Sequence, residues 1–309
     1  MLHVPVLLEE TVSRLVTAPG GWYLDATAGA GGHASALLAA AGLDARLLAL
    51  DRDGRALDLA RAALEPFGGR AVLERANFTE MAAAAARCGV TGFRGILMDL
   101  GVSSMQLDEA ARGFSFREEA PLDMRMDDRQ ELTAAELLRR LSPEDLAQVL
   151  RRYGEEPMAK RIAKAAGAAL ARGEPLETTT QLAALVERAK GGRRGRIHPA
   201  TQTFQALRIA VNGELEALER ALPAALDLLE PGGRLAVISF HSLEDRMVKQ
   251  FMTAHEGRME SLARGGARWS GTLPRARRVA RKPVTPSEEE VRRNPRSRTA
   301  KLRVLERMA

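Results

Sequence analysis

The first hundred residues alternate short apolar runs with stretches of helical periodicity. Four apolar runs of four or five residues predict buried strands, and the segments between them predict helices. Alternation at this spacing indicates a parallel sheet with helices on its faces. The predicted strands are 22–26, 46–50, 71–74 and 96–100, and the predicted helices are 34–41, 55–64 and 79–87.

This rhythm is interrupted from about residue 104 to 212, where no strand pattern occurs and several helices begin with capping residues. Thr133 with Glu136, and Thr178 with Gln181, have the spacing of capping boxes. The strand–helix pattern then returns, so we predict one α/β domain with an all-helical insertion. The later predicted elements are a helix at 214–229, a turn at 230–233, a strand at 235–240, a helix at 243–252 and a last edge strand at 299–306.

Composition excludes several classes of protein. The chain of 309 residues has one cysteine, Cys88, which rules out an internal disulfide and C-x-x-C metal sites. The first apolar run stops at Glu9, too early for a signal peptide, and no run approaches the ~20 residues of a membrane span. We therefore expect a cytoplasmic protein with no membrane partner and no bound metal.

Positive charge is concentrated in two places. Residues 258–309 hold 15 lysines and arginines against five acidic residues, although the whole chain carries a net charge of only +6. A second stretch, 188–208, has six basic residues and no acid. Such blocks indicate a polyanionic partner, with a solvated basic tail as the alternative. Within the first block, 257–282 is predicted to be mobile, and the sequence assigns it no role.

The first predicted strand leads into a glycine-rich loop from Asp25 to His33. Glycines at such a turn let the backbone approach a ligand at a helix N-terminus. The second strand ends at Asp51, 20 residues beyond Gly31, where a carboxylate can accept hydrogen bonds from ribose hydroxyls. The chain lacks the G-K-[ST] of a phosphate-binding loop, so we expect a nucleoside-type ligand other than that of a P-loop NTPase.

Two ligands remain open for this loop. The run from Gly29 to Ala34 also fits the G-x-G-x-x-A fingerprint, which leaves a nicotinamide-dependent oxidoreductase as an alternative. Asp25 favours S-adenosylmethionine, because an acid there can hold the cationic amino group of methionine, whereas it would repel a pyrophosphate. Phe78, after the third strand, has two interpretations: it stacks on adenine, or it packs in the core, and the residue taken alone favours the core.

The fourth and fifth predicted strands end in polar residues at the edge where doubly wound sheets bind ligands. Asp99 interrupts an apolar run there, which is unusual for a residue that only packs. At the end of strand five we expect Ser242 and Asp245 to cap the next helix and to leave His241 available. The [DNS]-P-P-[YF] run of many amino-methyltransferases is absent, so a target base would be stacked elsewhere. The candidates are Phe114, Phe116 and Phe240.

Long motifs resemble one known family over nearly the whole chain and in the same order. The sequence is similar to the ribosomal RNA small subunit methyltransferase H family, whose members methylate N4 of a cytidine in the 16S rRNA decoding centre. The matching stretches are HVPVLL from His3, DATAGAGGHA from Asp25, LALDRD from Leu48, MDLGVSSMQLDEAARGFSF from Met98, PLDMRMD from Pro121, YGEEPMAKRIA from Tyr153, TTTQLA from Thr178, HPATQTFQALRIAVNGEL from His198, ISFHSLEDRMVK from Ile238 and NPRSRTAKLRVLER from Asn294.

The resemblance implies a class I methyltransferase core, Rossmann-like with a mainly parallel sheet, in residues 1–104 and 213–309. It implies a helical insertion for substrate recognition in 105–212. The implied partner is 16S rRNA or the small ribosomal subunit, and a homodimer is left open. Met105 stands where relatives often have proline, which bears on the alignment of Gln106. The implied S-adenosylmethionine contacts are Gly31, Gly32, His33, Asp51, Phe78, Asp99 and Gln106.

The leading hypothesis is an RNA cytosine-N4 methyltransferase in which Asp99 is the catalytic residue that accepts the amine hydrogens of the base. One alternative is the oxidoreductase, although no hydride-transfer constellation follows in the helical block. The other is a non-catalytic RNA-binding or ribosome-assembly factor. Three carboxylates at strand ends argue against the non-catalytic factor, because an inactive relative has no need to keep them. They are Asp25, Asp51 and Asp99.

Overall fold

Apolar runs from both ends of the sequence form a seven-stranded sheet, and a two-stranded sheet lies outside it. The strands are β1 (Gly21–Asp25), β2 (Ala45–Asp51), β3 (Ala71–Arg75), β4 (Phe93–Asp99), β5 (Leu229–Ser239), β6 (Arg258–Ser261), β7 (Ala267–Ser270), β8 (Ala276–Arg278) and β9 (Lys301–Arg307). The large sheet has the order β3-β2-β1-β4-β5-β9-β8, with β1 to β5 parallel and β9 antiparallel to both neighbours. This is the class I methyltransferase arrangement, and the predicted fold class is confirmed.

The computed structural model describes residues 5–193, 195, 198–256, 258–261, 265–270 and 274–309. They form two units, Met1–Gly101 with Leu215–Ala309, and Val102–Glu214. Within the described ranges, no helix is long and apolar enough to cross a membrane. The helices are α1 (Leu8–Leu15), α2 (Gly32–Ala40), α3 (Gly54–Leu64), α4 (Met81–Arg87), α5 (Ser104–Asp108), α6 (Ala134–Arg140), α7 (Pro143–Gly154), α8 (Ala159–Ala171), α9 (Thr179–Lys190), α10 (Thr201–Asn212), α11 (Glu214–Leu228), α12 (Ser242–Glu256) and α13 (Glu288–Arg293).

The chain order of the sheet reverses between β1 and β4. From β1 the chain moves outward through β2 to β3, and from β4 it moves the other way to β5. The carboxyl ends of β1 and β4 therefore meet at a topological switch point, where doubly wound sheets bind ligands. Asp25 ends β1, Asp99 ends β4 and Asp51 ends β2, so the three predicted carboxylates lie along one edge.

The central strands are buried on both faces. In β2, the consecutive residues Leu47, Leu48, Ala49 and Leu50 are all fully buried. Helices cover both faces of a parallel sheet, so alternation disappears and a continuous apolar run remains. This explains why the first strands could be located from the sequence.

The predicted start of the fifth strand, at Leu235, is wrong by six residues. Strand β5 already pairs with β4 at Leu229, and the register shifts before pairing resumes at Arg234. The Pro-Gly-Gly segment that predicted a turn forms this irregularity inside the strand, with Gly232 at φ +80°. A bulge and a turn both need residues that tolerate positive φ, so their sequence patterns are alike.

The structure adds elements to the C-terminal region and corrects the position of its predicted edge strand. Segment 257–282, predicted to be mobile, contains β8 and the β6–β7 hairpin among its described residues. The predicted edge strand is β9, which lies between β5 and β8 instead of at the edge. Strand β8 has only three residues, two of them arginines, so the sequence has no apolar pattern from which the strand could be predicted. Ion pairs from Arg277 to Glu306 and from Arg278 to Glu256 hold it in place.

The second unit is helical, as its caps predict. Thr133 accepts a hydrogen bond from Glu136 N at 3.2 Å, and Thr178 and Gln181 form a complete capping box. Ser142 caps α7 ahead of Pro143 at the first helical position. The helices enclose their own apolar core, centred on fully buried residues such as Leu150 and Val186.

Candidate active site

Asp51 organises two turns at the end of β2. Its Oδ2 accepts a hydrogen bond from Gly29 N at 2.8 Å, and its Oδ1 accepts one from Asp53 N at 2.9 Å. Burial raises the pKa of Asp51, and these two backbone donors oppose that effect. Each carboxylate oxygen has a second lone pair. Asp51 can therefore fix the loop after β1 and still accept hydrogen bonds from a ligand.

Two glycines of the loop are required by packing within the protein. A Cβ on Gly31, where φ is +81°, would lie 3.0 Å from Ala60 Cα in α3. A Cβ on Gly32 would lie 2.4 Å from Pro5 Cγ. The loop thus sits directly against α3 and against the N-terminal segment. Helix α2 begins here without a side-chain cap, so its first backbone N–H groups can serve a ligand.

Two carboxylate oxygens at the switch point are buried, and neither has a hydrogen-bond partner among the described residues. They are Asp25 Oδ2 and Asp99 Oδ1. Burial, followed by the nearby Asp51 carboxylate, raises the pKa of Asp25 to about 7, although a hydrogen bond from Thr27 N opposes this. Burial and then Asp25 and Glu244 raise the pKa of Asp99 well above its ordinary range. Such a site favours a cation or N–H donors as its ligand.

Sequence reasoning missed Glu244 at this edge and assigned the end of β5 incorrectly. Glu244 is 2% exposed, and its Oε2 accepts hydrogen bonds from the backbone N–H groups of Phe240 and His241. His241 is not left available, because its Nδ1 accepts a hydrogen bond from Glu244 N at 3.4 Å at the start of α12. Its Nε2 lies 3.2 Å from Glu244 Oε1 but forms no hydrogen bond within the described residues. The carboxylate of Asp245 pairs with Arg303 and Lys301 of β9.

Thr27 was also missed, although it follows Asp25 by two residues in the loop. Its Oγ1 accepts a hydrogen bond from Asp99 N at 2.6 Å. This contact joins the loop after β1 to the end of β4. A hydroxyl residue two positions after a strand-ending acid was the available signal, but threonine is common in turns and does not stand out.

His33 occupies the first turn of α2 and is 6% exposed. Its Nε2 lies 3.1 Å from the carbonyl oxygen of Val6, and its Nδ1 lies 3.6 Å from Asp99 Oδ2. The structure therefore places His33 beside the predicted catalytic carboxylate, and Gly31 and Gly32 directly precede His33 in the loop.

The other two predicted cofactor residues, Phe78 and Gln106, belong to different units. Phe78 opens a short 3₁₀ turn after β3, capped by Asn77, and its half-buried ring packs against the core of the first unit. Gln106 belongs to the second unit, where its Oε1 accepts a hydrogen bond from Ser103 N at 3.1 Å in a capping box. Both assignments to the cofactor stay predictions.

The three candidate stacking aromatics differ in accessibility. Phe114 is buried in the core of the second unit, so it drops out as a candidate. Phe116 is half-buried between His198, at 4.6 Å between ring centroids, and Phe204, at 4.7 Å. Phe240 is half-buried against the core of the first unit.

Much of the C-terminal positive charge is neutralised by ion pairs inside the first unit. Among the described residues of the block, at least six basic side chains form ion pairs there, including Arg275 with Asp227 and Arg303 with Asp245. Four others are exposed and make no ion pair within the described part of the chain. These four are Arg281, Lys282, Arg292 and Arg298.

Comparisons with known proteins agree with this geometry. A family model described as the MraW methylase family matches residues 1–308. The chain belongs to the MraW methylase family. Among its relatives are proteins named "Ribosomal RNA small subunit methyltransferase H". One from Dehalococcoides mccartyi strain BAV1 is 49% identical over 99% of this chain and 86% of its own length. Others from Cyanothece sp. and Thermomicrobium roseum are each 50% identical over 99% of this chain, and over 95% and 94% of their own lengths.

The methylase is thus a methyltransferase that uses S-adenosylmethionine, and the oxidoreductase alternative is wrong. The residues present fit this cofactor. Its sulfonium and amino groups are cationic, and the switch point offers the unpartnered buried oxygens of Asp25 and Asp99. Among the residues that the structure describes, no three His, Cys, Asp or Glu side chains are placed to hold a metal ion.

Proposed function

We propose that this methylase transfers a methyl group to N4 of a cytidine in 16S rRNA of the small ribosomal subunit, in the decoding centre, and that it acts in the cytoplasm. The observation that carries the proposal is Asp99 Oδ1, a buried acceptor without a partner among the described residues, at the ligand edge of the sheet. An exocyclic amine presents N–H donors to such an acceptor. The names of the relatives support the choice of RNA.

The residues that would hold the cofactor follow from their surroundings. Asp25 Oδ2 would take the cationic amino group, and Asp51 would accept the ribose hydroxyls. The backbone N–H groups at the start of α2, with Gly31 and Gly32, would line the methionine part. Phe78 would stack on adenine, and Gln106 is proposed from the family resemblance alone.

Asp99 would orient the exocyclic amine of the cytosine and accept its hydrogens. The cytosine amine is a weak nucleophile because its lone pair is delocalised into the ring, while the cofactor supplies an already electrophilic methyl group. The protein must therefore align the amine and accept its hydrogens. Asp99 Oδ1 can orient one N–H, and backbone carbonyls at the end of β4 can orient the other.

Transfer of a labelled methyl group to small subunits that lack the modification tests the function. Nucleoside analysis after the reaction should find the label in N4-methylcytidine. Label in another nucleoside would refute the proposed position. Absence of label in RNA, with intact cofactor binding, would favour the non-catalytic assembly factor.

Asp51→Ala is expected to weaken cofactor binding about tenfold to hundredfold, because hydrogen bonds to a charged acceptor are lost. RNA affinity should stay close to that of the parent. Isothermal titration calorimetry with S-adenosylhomocysteine measures the first quantity. Asp53→Ala is the matched control, since Asp53 caps α3 two residues further on. An unchanged dissociation constant for Asp51→Ala would show that Asp51 does not bind the cofactor.

We further propose that the exposed basic residues of the stretch 188–208 and of the C-terminal block bind RNA phosphates. Lys190 and Arg208 are excluded because they pair with Glu156 and Glu214. Arg193 is exposed, whereas Arg194 and Arg196 lie outside the described residues. In the C-terminal block, the unpaired residues Arg281, Lys282, Arg292 and Arg298 support the proposal better than those held in ion pairs. Phosphate contacts of this kind position the substrate and carry little sequence information.

Neutralising Arg193, Arg194 and Arg196 together should lower RNA affinity and leave cofactor affinity unchanged. Each lost phosphate contact should flatten the log–log salt dependence of binding by roughly 0.7–0.9. The matched control neutralises three exposed arginines of the first unit, Arg46, Arg61 and Arg87, with the same loss of charge. If both triple variants bind RNA with the parent's affinity and salt slope, the stretch is only a solvated loop.

A further inference from the structure

The imidazole of His33 has a defined tautomer, because one of its nitrogens faces a group that can only accept. Nε2 lies 3.1 Å from the carbonyl oxygen of Val6, so Nε2 carries a hydrogen and donates it. Nδ1 then faces Asp99 Oδ2, 3.6 Å away. That distance is an ion-pair contact, longer than a hydrogen bond.

Electrostatics requires a proton between these two groups. A bare Nδ1 lone pair and a carboxylate oxygen would repel each other, and the repulsion is strong in a buried site. One proton, on Nδ1 or on Oδ2, converts this contact into an attraction. With one proton in addition to the hydrogen on Nε2, the His33–Asp99 pair would be neutral overall.

The surroundings of the pair explain why Asp99 needs His33. The acidic groups that face Asp99 are Asp25, at the end of β1, and Glu244, in the first turn of α12. Burial and these two carboxylates disfavour a negative charge on Asp99. Within the described chain, His33 is the one basic side chain in ion-pair contact with it.

The N-terminal segment holds His33 in this orientation. Leu7 N donates a hydrogen bond to Glu290 Oε1 at 2.8 Å, and Leu7 adopts a left-handed conformation with φ +52°. Pro5 packs against Gly32, so the Val6 carbonyl is fixed from both sides. A non-glycine residue at positive φ is costly, and here it keeps the carbonyl aimed at the imidazole.

We propose that His33 is a positioning residue for Asp99, sharing a proton with Oδ2 so that Oδ1 accepts the proton that leaves the substrate amine. The inference rests on the proposed function, because it requires an amine substrate. The amine nitrogen forms a bond to the methyl carbon, and both electrons of the broken carbon–sulfur bond stay on sulfur. The amine proton goes to Asp99 Oδ1, and the shared proton goes to His33 Nδ1. The positive charge that leaves sulfur thus ends on the imidazole.

Nitrogen NMR of the apoprotein tests the shared proton without cofactor or RNA. With ¹⁵N-labelled histidine at pH 7, His33 should show Nε2–H and a protonated or proton-sharing Nδ1. In Asp99→Asn, Nδ1 should become a bare lone pair while Nε2–H is retained. An Nδ1 signal that is identical in both proteins would overturn the proposal. This measurement does not depend on which nucleotide is methylated, so it stands apart from the nucleoside analysis.

His33→Gln tests the consequence for the reaction. Glutamine can still donate to the Val6 carbonyl but offers nothing at the position of Nδ1. We expect kcat to fall about tenfold to hundredfold at saturating cofactor. The acidic limb of its pH profile should move to higher pH, because Asp99 loses its cationic partner. His255→Gln is the control, since His255 Nδ1 contacts the Phe251 carbonyl in α12. If kcat falls equally at every pH, His33 has only a structural role. If excess cofactor restores the rate, His33 only helps to bind the cofactor.

Discussion

Asp99→Ala is expected to lower kcat by about 10²–10⁴, the range that general acid–base groups contribute. Alanine removes the buried Oδ1 acceptor and the partner of His33, but it leaves intact the backbone bond from residue 99 to Thr27. The loss should persist at saturating S-adenosylmethionine. Single-turnover methyl transfer to small subunits, over a range of cofactor concentrations, measures it.

Two matched variants make this result specific. Asp51→Ala, at the neighbouring strand end, should recover most of its rate when cofactor is raised. Asp99→Asn keeps the size of the side chain and one acceptor oxygen but cannot take a proton, so it should resemble Asp99→Ala in rate. Full recovery of Asp99→Ala by excess cofactor would make Asp99 a binding residue only.

Asp25→Asn is expected to stabilise the protein increasingly as pH rises. Burial raises the pKa of Asp25 to about 7 in the folded state, from 3.8 as an ordinary value. The folded state therefore holds this proton more tightly than the unfolded state. The corresponding stability is fully present below about pH 4 and is lost as pH rises to about 7, at a total cost of about 4 kcal/mol.

Asparagine cannot ionise, so the variant avoids this cost. Its unpartnered amide carries a penalty of about 1–3 kcal/mol that does not vary with pH, so the change with pH is the informative quantity. Urea unfolding of both proteins from pH 4 to 8 measures it. Parallel stability curves would contradict the raised pKa. Calorimetry with cofactor should find weaker binding by Asp25→Asn above pH 7, because the cationic amino group loses its counter-charge.

The sequence was most informative where one physical cause dominates. Strands buried on both faces give continuous apolar runs, so β2 and β4 were located within three residues. The carboxylates Asp25, Asp51 and Asp99 were found because each breaks the pattern at a strand end. Capped helices were equally clear, as at Thr133 and Thr178, because capping depends on residues three positions apart.

What could not be predicted depends on contacts between distant residues. Glu244 accepts hydrogen bonds from the backbone N–H groups of Phe240 and His241, and its charge helps to raise the pKa of Asp99. These interactions arise because the end of β5 lies beside the end of β4. The bonds from Leu7 to Glu290 and from His33 to Val6 join segments with no shared local pattern. Strand β8 is invisible to periodicity because it has a single buried apolar residue, Ala276, beside two arginines held in ion pairs.

The pairing of β4 with β5 has a consequence for the order of folding. These strands are adjacent in the sheet, yet the whole second unit lies between them in the chain. Bringing them together closes a loop of more than a hundred residues, whose entropic cost must be met before Asp99 and Glu244 can face each other. The helical unit has its own core, so it can form first and shorten that loop. We therefore expect the acidic edge that we propose as the cofactor site to be among the last parts of the molecule to assemble.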